Sequence, residues 1–207
     1  MKLLLTGCTG LIGRELIPLL IKEGHSLTII SRQSKDKLKK IAINSSIEII
    51  QMNPAKSSSW ANEEIQNSLK NCEGVINLAG EPIAEKRWTE DHCKEISNSR
   101  LETTKNLIQN LRSLKKSPKV FINASAIGFY GSHPQTEFTE ESIPGDDYLA
   151  NLCKEWESIA NNKPRATRLV IVRIGIVLAK DGGALGKMLP IFYTNSLGNH
   201  HREYFLQ

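Results

Sequence analysis

The stretch that most constrains this chain is the glycine-rich segment 2–15, which reads KLLLTGCTGLIGRE. Its apolar start, Lys2–Thr6, fits a buried strand, and residues 11–21 carry apolar side chains at helical intervals. Between them, glycine recurs at every third position, at Gly7, Gly10 and Gly13. A strand, a tight turn and a helix in this order can place a pyrophosphate over the positive end of the helix. The segment therefore predicts a nucleotide-binding corner.

Each of the three glycines has its own predicted role. Gly7 permits the turn, Gly10 lets backbone N–H groups approach the phosphates, and Gly13 lets the helix pack closely on the strand. The spacing is GxxGxxG rather than GxGxxG. A glycine-rich connection in an ordinary β-α-β unit is therefore the alternative.

Length and composition indicate a globular protein with a substantial core. The chain has 207 residues, of which 40% are hydrophobic and 24% charged, so one domain, or one and a half, is expected. No apolar run approaches the length of a membrane span, and the short run at the start ends at once in the glycine turn, unlike a signal peptide. We expect a cytoplasmic protein without a membrane partner.

The cysteine pattern argues against a metal site, and the distribution of charge argues against a nucleic-acid-binding site. The cysteines are scattered without a CxxC pair, which predicts reduced, mostly buried thiols and no metal; they are Cys8, Cys72, Cys93 and Cys153. The formal charge is +5, with basic runs at 35–40 and 112–119. Neither run has interleaved aromatic residues, so solvated helix faces or helix ends are expected, and no nucleic-acid partner.

Strand and helix patterns alternate along the chain. This alternation predicts an α/β fold, a Rossmann-like doubly wound parallel sheet of six or more strands with helices on both faces. The predicted strands are 2–6, 27–31, 47–50, 74–78, 119–124 and 169–172, and the predicted helices after the first are 60–70, 89–114 and 146–161. Thr89 is the predicted cap of the long helix. After residue 183 no clear period remains.

The end of the second strand decides which dinucleotide is expected. An acidic residue there would bind the ribose 2′-OH, whereas a basic one favours a 2′-phosphate. Here the strand ends with Ser31 and Arg32, about 20 residues after the glycines. The planar fork of Arg suits phosphate, so NADP is predicted over NAD. The alternative is that Arg32 only caps the strand and points into solvent.

Further motifs follow in order along the chain. They are NLAGE at 77–81, KRW at 86–88, SRLETT at 99–104, SAIGFYG at 125–131 and Trp156-Glu157. With the glycine segment, they resemble the atypical extended short-chain dehydrogenase/reductases called epimerase-family proteins, of the NAD-dependent epimerase/dehydratase superfamily, some of which are labelled cell-division inhibitors. The likeness covers about residues 1–192 and implies a Rossmann fold with NADP as the cofactor.

The resemblance also implies positions for the cofactor. Thr9, Gly10, Leu11 and Ile12 would lie along the pyrophosphate, Ser31 and Arg32 at the adenosine end, and Leu78, Ala79 and Gly80 in a turn beside the cofactor. Glu95 and Arg100 would face the cofactor from the long helix, Val177 would lie near the nicotinamide, and Glu81 with Arg87 and Trp88 would shape the cleft. From the residues alone, the alternative for 78–80 is a plain strand-to-loop transition, and the alternative for Glu95 and Arg100 is a solvated helix face.

The catalytic pair of active short-chain reductases, Tyr-x-x-x-Lys, is not intact. Four positions after Tyr148 stands Leu152, and Lys154 is six positions away, on another helix face. Ser125, at the predicted end of the fifth strand, matches the hydroxyl that polarises the substrate in such proteins. Ser125 and Tyr148 are the candidate catalytic residues, with structural roles as the alternative.

Extended members of the resembling family continue into a C-terminal lobe that grips the substrate. Here residues 1–180 are predicted to form the dinucleotide-binding domain and 181–207 a remnant of that lobe. Apolar surface left at the strand ends would be covered in a homodimer or would lower solubility.

The function expected is an NADP-binding oxidoreductase or epimerase-like protein for a small carbonyl or hydroxyl substrate; the alternative is a non-catalytic NADP-binding regulator.

Overall fold

The computed structural model describes residues 1–38, 47–133, 135–179 and 182–193. Met1–Arg173 and Ile174–Gln207 are two compact units. The strands are β1 (Lys2–Thr6), β2 (Ser26–Ser31), β3 (Ile47–Gln51), β4 (Gly74–Asn77), β5 (Val120–Ala126), β6 (Arg168–Ile174) and β7 (Leu178–Ala179). The helices are α1 (Leu11–Lys22), α2 (Lys35–Leu38), α3 (Glu63–Asn71), α4 (Glu90–Arg112), α5 (Tyr148–Asn161) and α6 (Gly183–Tyr193).

Six strands form one parallel sheet in the order β3-β2-β1-β4-β5-β6. Alternate strand residues point to opposite faces, and each face is covered by helices. On one face, Leu5 and Ile29 pack with Ile17 of α1. On the other, Phe121 packs with Leu69 of α3 and with α4 and α5. The predicted doubly wound α/β sheet is confirmed, and all carboxyl ends of its paired strands lie at one edge, here called the carboxyl edge.

Several predicted elements differ in detail from the structure. The predicted helix 60–70 is divided into a 3-10 turn, Ser57–Ala61, and α3, whose cap is Asn62. The basic run at 35–40 begins with α2, and its last two residues lie outside the described part. The region after residue 183 contains α6, a helix the sequence did not predict. Residues 194–207 lie outside the described residues.

The second unit contains β7 and α6. Leu178 and Ala179 pair antiparallel with Gly183 and Gly182, and the backbone N–H of Ala184 donates to the carbonyl of Val177 over 3.2 Å. No helix among the described residues is long and apolar enough to cross a membrane.

The turn between β1 and α1 packs directly on the end of β4. Gly7 has a φ of +71°, which side chains other than glycine rarely adopt. A Cβ at this position would also collide with the backbone of Leu78 and Ala79, and one at Gly13 would collide with the backbone of Cys8. Gly7 therefore lets the turn after β1 lie against the end of β4, and Gly13 lets the first turn of α1 pack against the backbone of that turn.

A buried polar network joins the strands at the carboxyl edge. The amide of Asn77 donates to Thr104 Oγ1 over 2.9 Å and to Asn123 Oδ1 over 2.7 Å. Its oxygen accepts from Thr6 Oγ1 over 2.6 Å and from the N–H of Ala79 over 3.2 Å. All the hydrogen-bonding capacity of this amide is used, so the network fixes how β1, β4, β5 and α4 meet.

Replacing Asn77 by Ala should lower the free energy of unfolding by at least about 3 kcal/mol, because four buried partners lose a hydrogen bond at once. Asn71→Ala is the matched control: Asn71 is exposed and bonds only to the carbonyl of Asn67 among the described contacts. Its substitution should change stability by about 0.5 kcal/mol or less. Equilibrium urea unfolding measures both; equal losses would contradict a central role for the network.

Gly7→Ala should be far more damaging than Gly24→Ala, although both residues have positive φ. Gly24, at φ +77°, has no atom within 4 Å of an added Cβ, so its substitution costs only the conformational penalty of about 1–2 kcal/mol. Gly7→Ala adds the collision with β4 and should cost about 4 kcal/mol or more. Thermal and urea unfolding of the two variants compares them, and similar losses would show that the close approach is unimportant.

Candidate functional site

Four of the segments predicted to bind a cofactor meet at the carboxyl edge. The turn at Gly7 touches Leu78 and Ala79, and a Cβ at Gly80 would lie 2.9 Å from the guanidinium carbon of Arg100. Arg32, beyond β2, reaches Glu81. Residues far apart in sequence thus form one continuous surface around the end of β4, as expected for parallel strands that end side by side.

The start of α1 offers free backbone donors. Gly10 caps the helix in an extended conformation without a side-chain hydrogen bond, and the first-turn N–H groups of a helix have no partner inside it. Gly10 is exposed, and the nearest atom to an added Cβ would be the Gly7 carbonyl oxygen at 3.7 Å. Thr9 and Leu11 are half-buried beside it, and Ile12 is exposed. The residues present therefore fit a pyrophosphate above this helix end.

At the expected adenosine end, the two predicted residues differ in their surroundings. Ser31 is buried, and its Oγ accepts from the N–H of Gln33 over 3.1 Å. The Arg32 side chain is 63% exposed and donates through Nη2 to Glu81 Oε2 at 3.1 Å. Arg32 is accordingly held by a carboxylate across the edge of the sheet.

Arg100 supports the turn after β4. Its Nη1 donates to the carbonyls of Glu81, over 3.1 Å, and Ile96, over 2.9 Å, and the guanidinium lies 5.5 Å from the ring centre of Trp156. Burial lowers the pKa of this arginine. The alternative of a solvated face does not describe Arg100, which is half-buried against the turn.

Glu95, the other residue predicted on α4, lies in an exposed charge cluster. Its Oε2 is 2.9 Å from Lys86 Nζ and 3.4 Å from His92 Nδ1. The hydrogen bond from Lys86, followed by that from His92, lowers the pKa of the Glu95 carboxyl. Glu95 thus contacts the KRW motif that the sequence analysis placed beside the cleft.

Ser125 is engaged by residues to which the sequence assigned no role. Its Oγ donates to Glu157 Oε1 over 2.6 Å, in a buried position. Both Glu157 oxygens accept from Arg173, each over 2.9 Å. Because the Ser125 proton points at a carboxylate, the lone pairs of Oγ remain for another donor.

Arg173 connects Glu157 to the segment that follows β5. The guanidinium stacks 3.6 Å from the ring centre of Phe129, and Nη1 donates to Tyr130 Oη over 2.8 Å and to the Glu140 carbonyl over 2.9 Å. The hydrogen bonds that Arg173 donates to Glu157, with the one that it donates to Tyr130, raise the pKa of Arg173 further. Trp156-Glu157 was quoted as a motif, but nothing in the local pattern indicated this partner.

Tyr148 is the first residue of α5, and its side chain packs against α4 rather than bonding to Ser125. Tyr148 Oη donates to the Cys93 carbonyl over 2.9 Å and lies 2.9 Å from Ser97 Oγ. Its ring packs edge-to-face on Trp88, with ring centres 5.7 Å apart. The side chains of α5 that reach Ser125 are instead Glu157 and Cys153, and burial raises the pKa of the Cys153 thiol. Lys154 lies exposed on another face of α5.

The remaining predicted residues and sites lie elsewhere. Val177, half-buried, is in the second unit. The four cysteines carry free thiols, and within the described ranges no group of three or more His, Cys, Asp or Glu could hold a metal. A groove of about 520 Å³ opens at the amino ends of β1, β2 and β3, against α3. None of the predicted site residues lines it.

Comparison with known proteins supports the fold and the arrangement. The chain is 37% identical over 194 residues to the epimerase family protein SDR39U1 homolog, chloroplastic, of Arabidopsis thaliana, covering 93% of this chain and 53% of that one. It is 34% identical to the human epimerase family protein SDR39U1, covering 93% and 60%. The chain thus spans little more than half the length of these relatives.

Solved structures agree with the sequence comparisons. Human SDR39U1, isoform 2, with NADPH superposes with a TM-score of 0.76 at 33% identity, over 94% of this chain and 60% of that one. A nucleoside-diphosphate sugar epimerase from Corynebacterium glutamicum gives 0.72 at 27% identity, over 93% and 37%.

A sequence model of one family matches residues 3–204, nearly the full length of the chain. The predicted resemblance is therefore confirmed at the level of the family. With a family model that matches residues 3–204 and relatives above 30% identity, the chain belongs to the NAD-dependent epimerase/dehydratase family.

Proposed function

We propose that the carboxyl edge of this protein binds NADP and that the chain is the cofactor-binding part of an oxidoreductase or epimerase-like protein. The observation that carries this proposal is the corner between β1 and α1, where the turn at Gly7 packs against the end of β4 and exposed Gly10 begins the helix without a side-chain cap, with Arg32 beyond β2. The similarity to a human protein solved with NADPH supports the choice of cofactor.

Each part of the edge would hold a different part of the dinucleotide. The first turn of α1, from Thr9 to Gly13, would bind the pyrophosphate through backbone N–H groups. Ser31 and Arg32 would bind the adenosine end, with the guanidinium on the 2′-phosphate. Leu78, Ala79 and Gly80 would lie beside the cofactor, held in place by Arg100. When bound, the nicotinamide ring of such a cofactor donates or accepts a hydride.

The proposed substrate is a small carbonyl or hydroxyl compound, with Ser125 and Tyr148 as the proposed catalytic residues. The Ser125 proton is directed at Glu157 over 2.6 Å, so Ser125 would accept a hydrogen bond from a substrate hydroxyl rather than donate one to a carbonyl. Glu157, fixed by Arg173, would hold the serine in this orientation. This arrangement favours the alcohol as the form that Ser125 binds.

A second candidate is a non-catalytic NADP-binding regulator. The observation that favours it is the position of Tyr148, whose hydroxyl is occupied by Cys93 and Ser97 of α4. The Cys153 thiol of α5 lies beside Ser125. An active reductase would instead need a cation near this site, to lower the pKa of a catalytic tyrosine.

Arg32→Ala should lower the affinity for NADP by about 10-fold or more and leave the affinity for NAD nearly unchanged, because a charge-assisted contact to the 2′-phosphate is lost. Isothermal titration calorimetry with both dinucleotides measures the ratio. Arg112→Ala, an exposed arginine in the last turn of α4, is the control for a lost positive charge. An unchanged NADP-to-NAD ratio in Arg32→Ala would refute the assignment.

Turnover separates the two candidates. For an enzyme, NADP should be reduced in the presence of some members of a panel of small alcohols, and NADPH oxidised with the corresponding carbonyl compounds, followed at 340 nm as is usual for this cofactor. Loss of this activity in Ser125→Ala, with NADP affinity retained, is the expected result. Tight NADP binding without turnover on any member of the panel favours the regulator.

A further inference from the structure

A cluster of alternating charges lies beyond β2 and β4, here called the rim cluster. It consists of Arg32, Glu81, Lys86 and Glu95. Glu81 is its centre, because one carboxylate oxygen lies 3.1 Å from Arg32 Nη2 and the other 3.4 Å from Lys86 Nζ. A single carboxylate thus gathers two cations that stand 54 positions apart in the sequence.

The two cations are reachable from solvent, whereas the carboxylate between them is not. The Arg32 and Lys86 side chains are 63% and 55% exposed, and that of Glu81 is 15% exposed. The hydrogen bonds that Lys86 donates to Glu95 and Glu81 raise the pKa of Lys86, so this amine stays charged at neutral pH. The surface seen by an approaching anion is therefore a pair of cations.

The backbone of Glu81 is held by contacts that do not involve its carboxylate. Its N–H donates to Ser99 Oγ over 2.8 Å, and its carbonyl accepts from Arg100 over 3.1 Å. Both contacts are to the main chain, so they do not hold the carboxylate itself. The ion pairs with Arg32 and Lys86 are accordingly the contacts that an incoming anion would replace.

We propose that Lys86 is a second cation for the 2′-phosphate of NADP, acting with Arg32, and that the Glu81 carboxylate occupies this anion site until the phosphate displaces it. A phosphate carries more charge than a carboxylate and three acceptor oxygens. It can take two hydrogen bonds from the planar fork of Arg32 and the point charge of Lys86 at once. The proposal rests on the proposed NADP function and names a residue to which that function assigned no role.

Displacement of the Glu81 carboxylate by a phosphate has an electrostatic cost, which gives a way to test the role of Glu81. Arg32 and Lys86 are balanced by Glu81 and Glu95, so the free cluster carries no excess positive charge. A bound phosphate would lie near the Glu81 carboxylate and be repelled by it. Glu81 is therefore expected to weaken NADP binding while leaving NAD, which lacks the 2′-phosphate, less affected.

The test is calorimetric titration of NADP and NAD, at one ionic strength, into the whole chain and four variants. Lys86→Met should lower NADP affinity about fivefold or more with little change for NAD, and Lys86→Arg should restore it. Glu81→Gln should raise NADP affinity about threefold or more. Lys94→Met is the matched control, since Lys94 is an exposed α4 lysine paired with Asp91 at 3.8 Å.

The outcomes separate this inference from the proposed function. If wild-type protein prefers NADP and Lys86→Met keeps that preference, the role of Lys86 is overturned and the NADP function stands. Equal losses for NADP and NAD in Lys86→Met, without rescue by Lys86→Arg, would show a structural lysine and also overturn it. Weaker NADP binding in Glu81→Gln would overturn the exchange. Failure of the wild-type protein to bind either dinucleotide would overturn both.

Discussion

The whole carboxyl edge depends on one buried amide, that of Asn77. Its four hydrogen bonds reach β1, β5, α4 and the turn after β4. The Thr104 hydroxyl that it contacts also accepts from Trp156 Nε1 over 2.7 Å, which adds α5 to the same network. Because every donor and acceptor of the amide is used, a shift of any one of these elements would leave a buried polar group without a partner. The carboxyl edge is therefore held in one arrangement by a fully bonded amide.

Backbone packing and charge then build outward from that rigid edge. Gly7 lets the turn between β1 and α1 lie against the end of β4, and Arg100 holds the turn after β4 through the Glu81 carbonyl. The side chain of the same Glu81 collects Arg32 and Lys86 at the rim. Structural support and the charges proposed for cofactor selection thus meet in one residue, whose main chain is fixed and whose carboxylate is replaceable.

Local chemistry made much of this fold predictable from the sequence. Thr89 caps α4 by accepting from the N–H of His92, as expected for Thr followed by two acidic residues. α6 could not be predicted, because it is apolar nearly throughout and shows no amphipathic period. Helical spacing correctly placed Lys154 and Tyr148 on different faces of α5. The contact of the Tyr148 side chain with α4, in contrast, arises only from tertiary packing. The Arg32–Glu81 pair likewise requires the order of the strands, which no local pattern contains.

Arg173 has a consequence for how this protein can vary. Its flat guanidinium satisfies two carboxylate oxygens, a phenol and a carbonyl while it covers an aromatic face. An ammonium group offers neither the plane nor the number of directed donors. Lysine therefore cannot replace arginine at this position, although such a replacement is tolerated on most protein surfaces. The segment after β5 that holds Phe129 and Tyr130, and the Glu157 carboxylate that orients Ser125, therefore depend on the same arginine.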